Sequence, residues 1–166
     1  AYVKPKYVAL SFDDGPSLKY TPLMLDVLEE NGVKASFFLI GQNINEETAP
    51  IIRRMAQMGC DVENHTYSHP NLILAEVAKT DSLIEVYAGA KPEYLRPPFT
   101  AHNAHVADLI DGKIFISGLS CRDWRADMPV EDRVTMTLDR VEDGRILLFH
   151  DTNERTVEAM KTLIPA

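Results

Sequence analysis

The sequence predicts an α/β fold with parallel strands inside and helices outside. Short apolar runs alternate along the chain with segments of helical periodicity, which is typical of parallel strands covered by helices. A doubly wound sheet and a barrel both fit this alternation. The chain has 166 residues, whereas a full eight-fold (β/α) barrel takes about 250. The length therefore favours a shortened or incomplete barrel.

Unusual polar residues repeatedly follow an apolar run, at the point where a predicted strand ends. Such clusters are Asp13-Asp14, His65, Arg96, Asp123-Trp124 and His150. In parallel α/β folds the carboxyl ends of the strands share one face, and active sites form there. We therefore expect the five clusters to converge on one mouth.

The predicted elements follow each other without repeats or linkers. Strand-like runs span residues 7–12, 35–40, 60–63, 94–95, 114–119 and 145–149. Helical patterns cover residues 21–31, 48–58, 75–87 and 156–163, and a further helix lies between Pro129 and Gly144. In that helix Val130, Val134 and Leu138 recur at every fourth position.

The composition limits the classes of partner. By size, residues 1–166 make one domain. A net charge of −8 argues against nucleic acid or an anionic membrane surface, because either favours a basic patch. No apolar run approaches the roughly 20 residues of a membrane span. Cys60 and Cys121 are too few for a disulfide framework, and we expect both to pack as small apolar side chains.

Asp13 and Asp14 are adjacent carboxylates between the first strand and the turn at Gly15-Pro16. Neighbouring acids repel each other unless a positive group neutralises them. A metal ion can bind one carboxylate and leave the other free as a base. The alternative is a surface Asp-Gly turn, which commonly follows a strand.

His65 and His69 are four residues apart, which on a helix would place both on one face. Pro70 favours an extended backbone at His69, so we predict a loop that brings both imidazoles to one point. One Asp and two His form a facial set of three ligands with open positions, which suits catalysis. Two exposed loop histidines are the alternative. His102 and His105 have no matching partner, and we expect them on the surface.

Arg96 precedes two prolines that restrict the backbone. It is either a solvent-exposed residue or a permanent charge held against a carboxylate, which it orients and keeps ionised. Because proline lacks an N–H, the first donor after Arg96 is the amide of Phe99, which can stabilise an oxyanion. His150 follows a buried strand, and Asp123 can polarise it.

Five motifs occur in a fixed order along the chain. They are Ser11-Phe12-Asp13-Asp14-Gly15-Pro16, His65-Thr66-Tyr67-Ser68-His69-Pro70, Arg96-Pro97-Pro98-Phe99, Arg122-Asp123-Trp124 and Leu147-Leu148-Phe149-His150. In these motifs the chain resembles the catalytic domain of the carbohydrate esterase family 4 polysaccharide deacetylases, also called the NodB homology domain. The resemblance covers nearly the whole chain and is closest to the acetylxylan esterase-like branch.

This resemblance implies a distorted, incomplete (β/α) barrel with parallel strands and outer helices. It also implies one divalent metal ion, most often Zn²⁺ and sometimes Co²⁺. By motif match Asp14, His65 and His69 are the metal ligands. Asp13 is the general base, and Arg96 positions it.

The remaining roles implied by the resemblance concern the acid and the substrate pocket. His150 is the general acid and Asp123 tunes it, while Trp124 and Leu148 wall the pocket for the acetyl methyl group. The amide of Phe99 lies in the matching motif. The fourth motif often begins with an additional Asp, where Ser120 stands in this chain.

The implied reaction is removal of acetyl groups from a polysaccharide. The substrate is either O-acetylated xylan or N-acetylglucosamine in chitin-like glycans or peptidoglycan. We expect a monomer that acts on an acetylated polysaccharide or oligosaccharide outside the cell or in the cell envelope. The chain lacks an initiating Met, so we expect an excised or mature domain. The alternatives are an inactive carbohydrate-binding relative and a metal-dependent phosphoesterase, which would have more acidic ligands and two metals.

Overall fold

Seven strands and their covering helices make up the part of the protein that the computed structural model describes, residues 6–69, 74–100, 110 and 112–166. The strands are β1 Ala9–Asp13, β2 Ser36–Leu39, β3 Asp61–Asn64, β4 Tyr94–Leu95, β5 Ile114–Phe115, β6 Leu119–Ser120 and β7 Ile146–His150. The helices are α1 Tyr20–Glu30, α2 Ala49–Gln57, α3 Leu74–Ala88, α4 Val130–Arg140 and α5 Glu154–Leu163. His102 and His105 lie outside the described residues.

The strands form one curled parallel sheet in the order β5-β4-β3-β2-β1-β7-β6. Strands β5 and β6 are thus at opposite edges, yet only residues 116–118 separate them in sequence. The edges of a flat seven-stranded sheet lie about 29 Å apart, whereas four Cα steps reach at most about 14 Å. The sheet must therefore curl until its edges approach, which confirms the distorted, incomplete (β/α) barrel.

The prediction of one strand over residues 114–119 is wrong, because this run pairs with β4 at one end and with β7 at the other. Between the two, the carbonyl oxygens of Ile116 and Ser117 accept hydrogen bonds from the Arg96 side chain at 3.3 and 3.5 Å. A Cβ on Gly118 would lie 2.9 Å from the Cβ of Leu148. Glycine thus permits the close passage from one edge to the other.

Strand alternation separates the hydrophobic core from the site. Phe12 pairs in register with Phe37 on β2 and Phe149 on β7, and their ring centroids lie 5.3 and 6.1 Å from that of Phe12. All three are buried in the core against the helices. Because successive side chains of a strand point to opposite faces, the next residues on β1 and β7, Asp13 and His150, point to the inner face.

Helix α4 buries an unexpected face. The helix itself is confirmed, but its buried side chains are Arg133 and Thr137. Leu138, a member of the apolar pattern, is 46% exposed. The pattern therefore located the helix correctly and gave no sign of the polar side chains that it buries.

Two other sequence predictions are confirmed. Cys60 and Cys121 are buried free thiols, and the segment from His65 to His69 is irregular rather than helical. No helix in the described ranges is both long enough and apolar enough to cross a membrane.

We predict that the substitution Phe37→Ala lowers the free energy of unfolding by about 3–5 kcal/mol, because it leaves a cavity beside Phe12 and removes an aromatic contact. Urea denaturation followed by circular dichroism measures this change. Val86→Ala is the control, since Val86 is 72% exposed and its truncation changes stability by no more than about 0.5 kcal/mol. Equal effects of the two substitutions would contradict this description of the core.

Candidate active site

A cavity of about 460 Å³ lies at the carboxyl ends of the strands. Each of the five motifs contributes lining side chains. Together with Ser120, the lining residues are Asp13, Asp14, His65, His69, Phe99, Trp124, Leu148 and His150. Arg96 and Asp123 are fully buried behind this wall. The structure thus brings together the residues that the sequence placed at one mouth. Ser120 lines the cavity in addition to the predicted set.

Asp14, His65 and His69 form a cluster whose candidate ligand atoms all lie within 4.8 Å of one another. The Nε2 atoms of His65 and His69 lie 3.3 and 3.4 Å from Asp14 Oδ1. This oxygen is buried and accepts no hydrogen bond from the described residues. An unpaired buried carboxylate oxygen that faces two imidazole nitrogens is unfavourable unless a cation joins them.

The protonation states of this cluster also suit a cation. His65 Nδ1 donates to the carbonyl oxygen of Arg96 at 2.5 Å, because a carbonyl can only accept, and so the Nε2 lone pair faces Asp14. Burial raises the pKa of Asp14, but the nearby imidazoles of His65, His150 and His69 outweigh burial, so the pKa lies below its ordinary value. Burial lowers the pKa of His69. A carboxylate and neutral imidazoles are the forms that bind metal, so the cluster fits a divalent ion.

Glu76 holds the loop that carries the two histidines. Its carboxylate accepts hydrogen bonds from the backbone N–H groups of Tyr67 and Ser68 at 2.9 and 2.6 Å. Thr66 and His69 on this loop have φ angles of 67° and 58°, which non-glycine residues rarely adopt. Glu76 is not among the predicted site residues. An acidic residue in the first turn of the helix after the histidine motif was the available signal.

Asp13 faces a different partner from its neighbour. Its Oδ1 accepts a hydrogen bond at 2.5 Å from Nη1 of Arg96, and the side chains of both residues are almost fully buried. The Phe38 ring lies under the guanidinium, 4.0 Å from its central carbon to the ring centroid. A permanently charged and rigid partner fixes the orientation of the Asp13 carboxylate.

His150 lies on the opposite side of the cavity and pairs with Asp123. Asp123 Oδ1 is 2.9 Å from His150 Nδ1, and its Oδ2 accepts the backbone N–H of His150 at 2.7 Å. Burial lowers the pKa of His150, but the hydrogen bond and negative charge of Asp123 outweigh it and raise the pKa to about 9. The imidazolium can therefore donate a proton from Nε2, which lies 3.9 Å from Asp14 Oδ2.

Apolar side chains form the rest of the cavity wall. Phe99 has a φ of 57°, and its ring packs edge-on against His69 with centroids 4.8 Å apart. Trp124 is 63% exposed at the mouth. Leu148 is buried and contacts the cavity from β7. These side chains offer a shallow apolar pocket beside the polar cluster.

Comparison with known proteins agrees with this geometry. The sequence profile of the family described as polysaccharide deacetylase matches residues 1–111. A bifunctional xylanase/deacetylase from Pseudobutyrivibrio xylanivorans is 39% identical over an alignment of 168 residues that covers 96% of this chain and 28% of that protein. A peptidoglycan-N-acetylglucosamine deacetylase from Bacillus cereus is 44% identical over an alignment of 99 residues that covers 55% of this chain and 36% of that protein. The chain thus spans about a third of the length of these relatives.

The solved structure of a family 4 acetyl xylan esterase from Clostridium thermocellum, in complex with a cobalt ion, is 36% identical in sequence. It superposes with a TM-score of 0.90 over 95% of this chain and 82% of the other. The profile match covers more than half of the chain, and the structural match covers nearly all of it. The chain therefore belongs to the polysaccharide deacetylase family, whose members are hydrolases that remove acetyl groups.

Proposed function

We propose that this chain is a metal-dependent hydrolase that removes acetyl groups from a polysaccharide, with O-acetylated xylan as the substrate it prefers. One observation carries the proposal. The adjacent carboxylates Asp13 and Asp14 face different partners, so that one can bind a metal while the other acts as a base. His150 lies across the cavity as an acid. Metal-assisted hydrolysis of an acyl group can use all three functions.

Asp14, His65 and His69 would hold the ion, with Zn²⁺ the best match to one carboxylate and two imidazoles and Co²⁺ an alternative. A divalent ion bound there supplies Lewis acidity to the acyl oxygen and makes water more acidic. The structure of the related esterase with cobalt supports a divalent ion at this kind of site.

Asp13 would take the proton from the attacking water. Its Oδ1 is bonded to Arg96 and its Oδ2 lies 3.8 Å from His65 Nε2, so the second oxygen faces the cluster that would hold the ion. Proton removal by a positioned base contributes about 10²–10⁴-fold to such reactions. The Phe99 amide is the proposed donor to the oxyanion.

His150 would return a proton to the departing alkoxide or amine. Its pKa of about 9 keeps the imidazole protonated at neutral pH. Asp123 fixes the ring through Nδ1 and leaves Nε2 free to face the cavity. An anionic base and a cationic acid on opposite sides of one cavity can serve the two proton transfers in turn.

Trp124 and Leu148 would hold the acetyl methyl group, because they line the apolar part of the cavity. All the proposed site residues come from one chain, so we propose that the domain works as a monomer. Glycans of this kind lie outside the cytoplasm, and we place the enzyme outside the cell or in its envelope.

The described residues contain one candidate metal cluster, and it has a single carboxylate. A phosphoesterase with two metals would need more acidic ligands. A carbohydrate-binding relative without turnover would need neither Asp13 nor His150. These points favour the hydrolase over the two alternatives.

We predict that substitutions at the two aspartates separate metal binding from turnover. Asp14→Ala removes a ligand and should weaken Zn²⁺ binding by more than about 100-fold, with activity lost in parallel. Asp13→Asn removes the base but none of the three ligands, so it should keep Zn²⁺ affinity and lower kcat by about 10²–10⁴-fold. Isothermal titration with Zn²⁺ and acetate release measure the two effects. Full activity of Asp13→Asn would exclude Asp13 as the base.

We predict that kcat/KM for acetate release from acetylated xylan exceeds that from acetylated chitooligosaccharide by at least about 10-fold. An ester is more easily hydrolysed than an amide, and the relative named as a xylanase/deacetylase aligns with nearly the whole chain. Both substrates are compared at equal acetyl concentration, with Asp13→Asn giving the background rate. Faster release from the chitooligosaccharide would make the enzyme an N-deacetylase instead.

A further inference from the structure

Arg133 is a buried cation that the proposed reaction does not use. Its side chain is only 2% exposed, although arginine is rarely buried without a specific set of partners. Burial lowers its pKa, and the negative charge of Asp123 opposes this. Desolvating a guanidinium costs several kcal/mol unless its donors are satisfied. The acceptors that these donors reach therefore show which parts of the structure Arg133 holds in place.

The guanidinium donates in two directions. Nη1 donates to Asn153 Oδ1 and Thr156 Oγ1, both at 3.0 Å. Nε and Nη2 donate to the backbone carbonyl oxygens of Met128 and Arg125 at 3.2 and 2.9 Å. One direction leads to the start of α5, and the other leads to the turn that follows Trp124.

The first direction ends at the acid of the site. Thr156 Oγ1 accepts from Arg133 and has one proton, which it donates to Asp123 Oδ2 at 2.8 Å, because a carboxylate is the stronger acceptor. The same Oδ2 accepts the backbone N–H of His150, while Oδ1 bonds the His150 ring. The hydroxyl thus fixes the rotation of the carboxylate that orients the His150 imidazole.

The second direction ends at the cavity mouth. The carbonyl of Arg125, the residue after Trp124, accepts from both Arg133 and the N–H of Met128. Four separate acceptors must be reached at once, which the planar fork of arginine can do and the single nitrogen of lysine cannot. Arg133 thereby links the turn that follows Trp124 to the helix that carries Thr156.

We propose that Arg133 is a positioning residue that acts on two parts of the site at once. Through Thr156 it orients Asp123 and His150, and through the carbonyls of Arg125 and Met128 it holds Trp124 at the acetyl pocket. The effect on turnover rests on the proposed function, whereas the effect on Trp124 does not.

Trp124 is the single tryptophan of the chain, so its fluorescence reports the turn without labelling. Four variants are compared with the wild type: R133M, R133K, T156V and T156S. L28A is the matched control, because Leu28 is fully buried on α1 and its truncation destabilises the fold without touching the site. The measurements are kcat, KM, Zn²⁺ affinity and time-resolved anisotropy of Trp124 in the folded state.

We predict that R133M and R133K lower kcat by about 10–100-fold, the range seen when an outer hydrogen-bond partner of a catalytic group is lost. Both should increase the rotational amplitude of Trp124 and leave Zn²⁺ affinity unchanged. T156V should lower kcat and leave the anisotropy of Trp124 as in the wild type, because Thr156 acts only on the orientation of Asp123 and His150. T156S retains the hydroxyl and should recover most of the lost kcat.

The proposal is overturned if R133M and L28A show the same kcat and the same anisotropy. If R133M has a more mobile Trp124 but a normal kcat, Arg133 does not orient Asp123 and His150. If R133M has a low kcat but unchanged anisotropy, Arg133 does not hold Trp124. If R133M does not fold, the anisotropy of R133K decides whether Arg133 holds Trp124. The kcat values of R133K, T156V and T156S then decide whether it orients Asp123 and His150. If the wild type releases no acetate, the proposed function fails, and the anisotropy still decides the role of Arg133 at the turn.

Discussion

The ion pair between Arg96 and Asp13 is the contact on which the rest of the site depends. The guanidinium bonds the proposed base at 2.5 Å and also bonds the carbonyls of Ile116 and Ser117, in the short segment that joins the two edges of the sheet. The carbonyl of Arg96 fixes the tautomer of His65. Breaking a buried pair of this kind costs about 3–5 kcal/mol, since the remaining charge is left without a partner. One residue thus bonds the segment that joins the two sheet edges, orients the proposed base and fixes the tautomer of a proposed metal ligand.

The site also depends on how the strand ends divide two adjacent carboxylates. Asp13 is the last residue of β1 and points inward, in register with His150 on β7. Asp14 leaves the strand with a φ of 72°, and its Oδ1 approaches the two histidines. Asp13 therefore faces a guanidinium, whereas Asp14 faces the cluster proposed to hold a cation, so different partners offset the repulsion between the two carboxylates. This separation makes the two proposed roles compatible at neighbouring positions.

Much of the site could be predicted from sequence because its residues follow strand ends in recognisable motifs. The break in the strand after Phe115 could not be predicted. An apolar run has the same sequence pattern whether it pairs with a strand at one edge of the sheet or with strands at both edges. Arg133 and Thr137 escaped prediction for a related reason: periodicity counts apolar residues, and α4 buries polar side chains that are satisfied by hydrogen bonds. Glu76 acts through backbone N–H groups, so its place in the first turn of a helix was the one sign of it in the sequence.

The central claim is that Arg96 ties closure of the sheet to the orientation of the base, and amide hydrogen exchange in the variant Arg96→Lys tests it most directly. The N–H of Ile116 bonds Leu95 at one edge and that of Cys121 bonds Leu148 at the other. We expect Arg96→Lys to accelerate exchange at both amides on the order of 10-fold or more relative to α1, with a parallel loss of kcat. Loss of kcat with unchanged protection at both edges would contradict the account, since Arg96 would then serve the base alone.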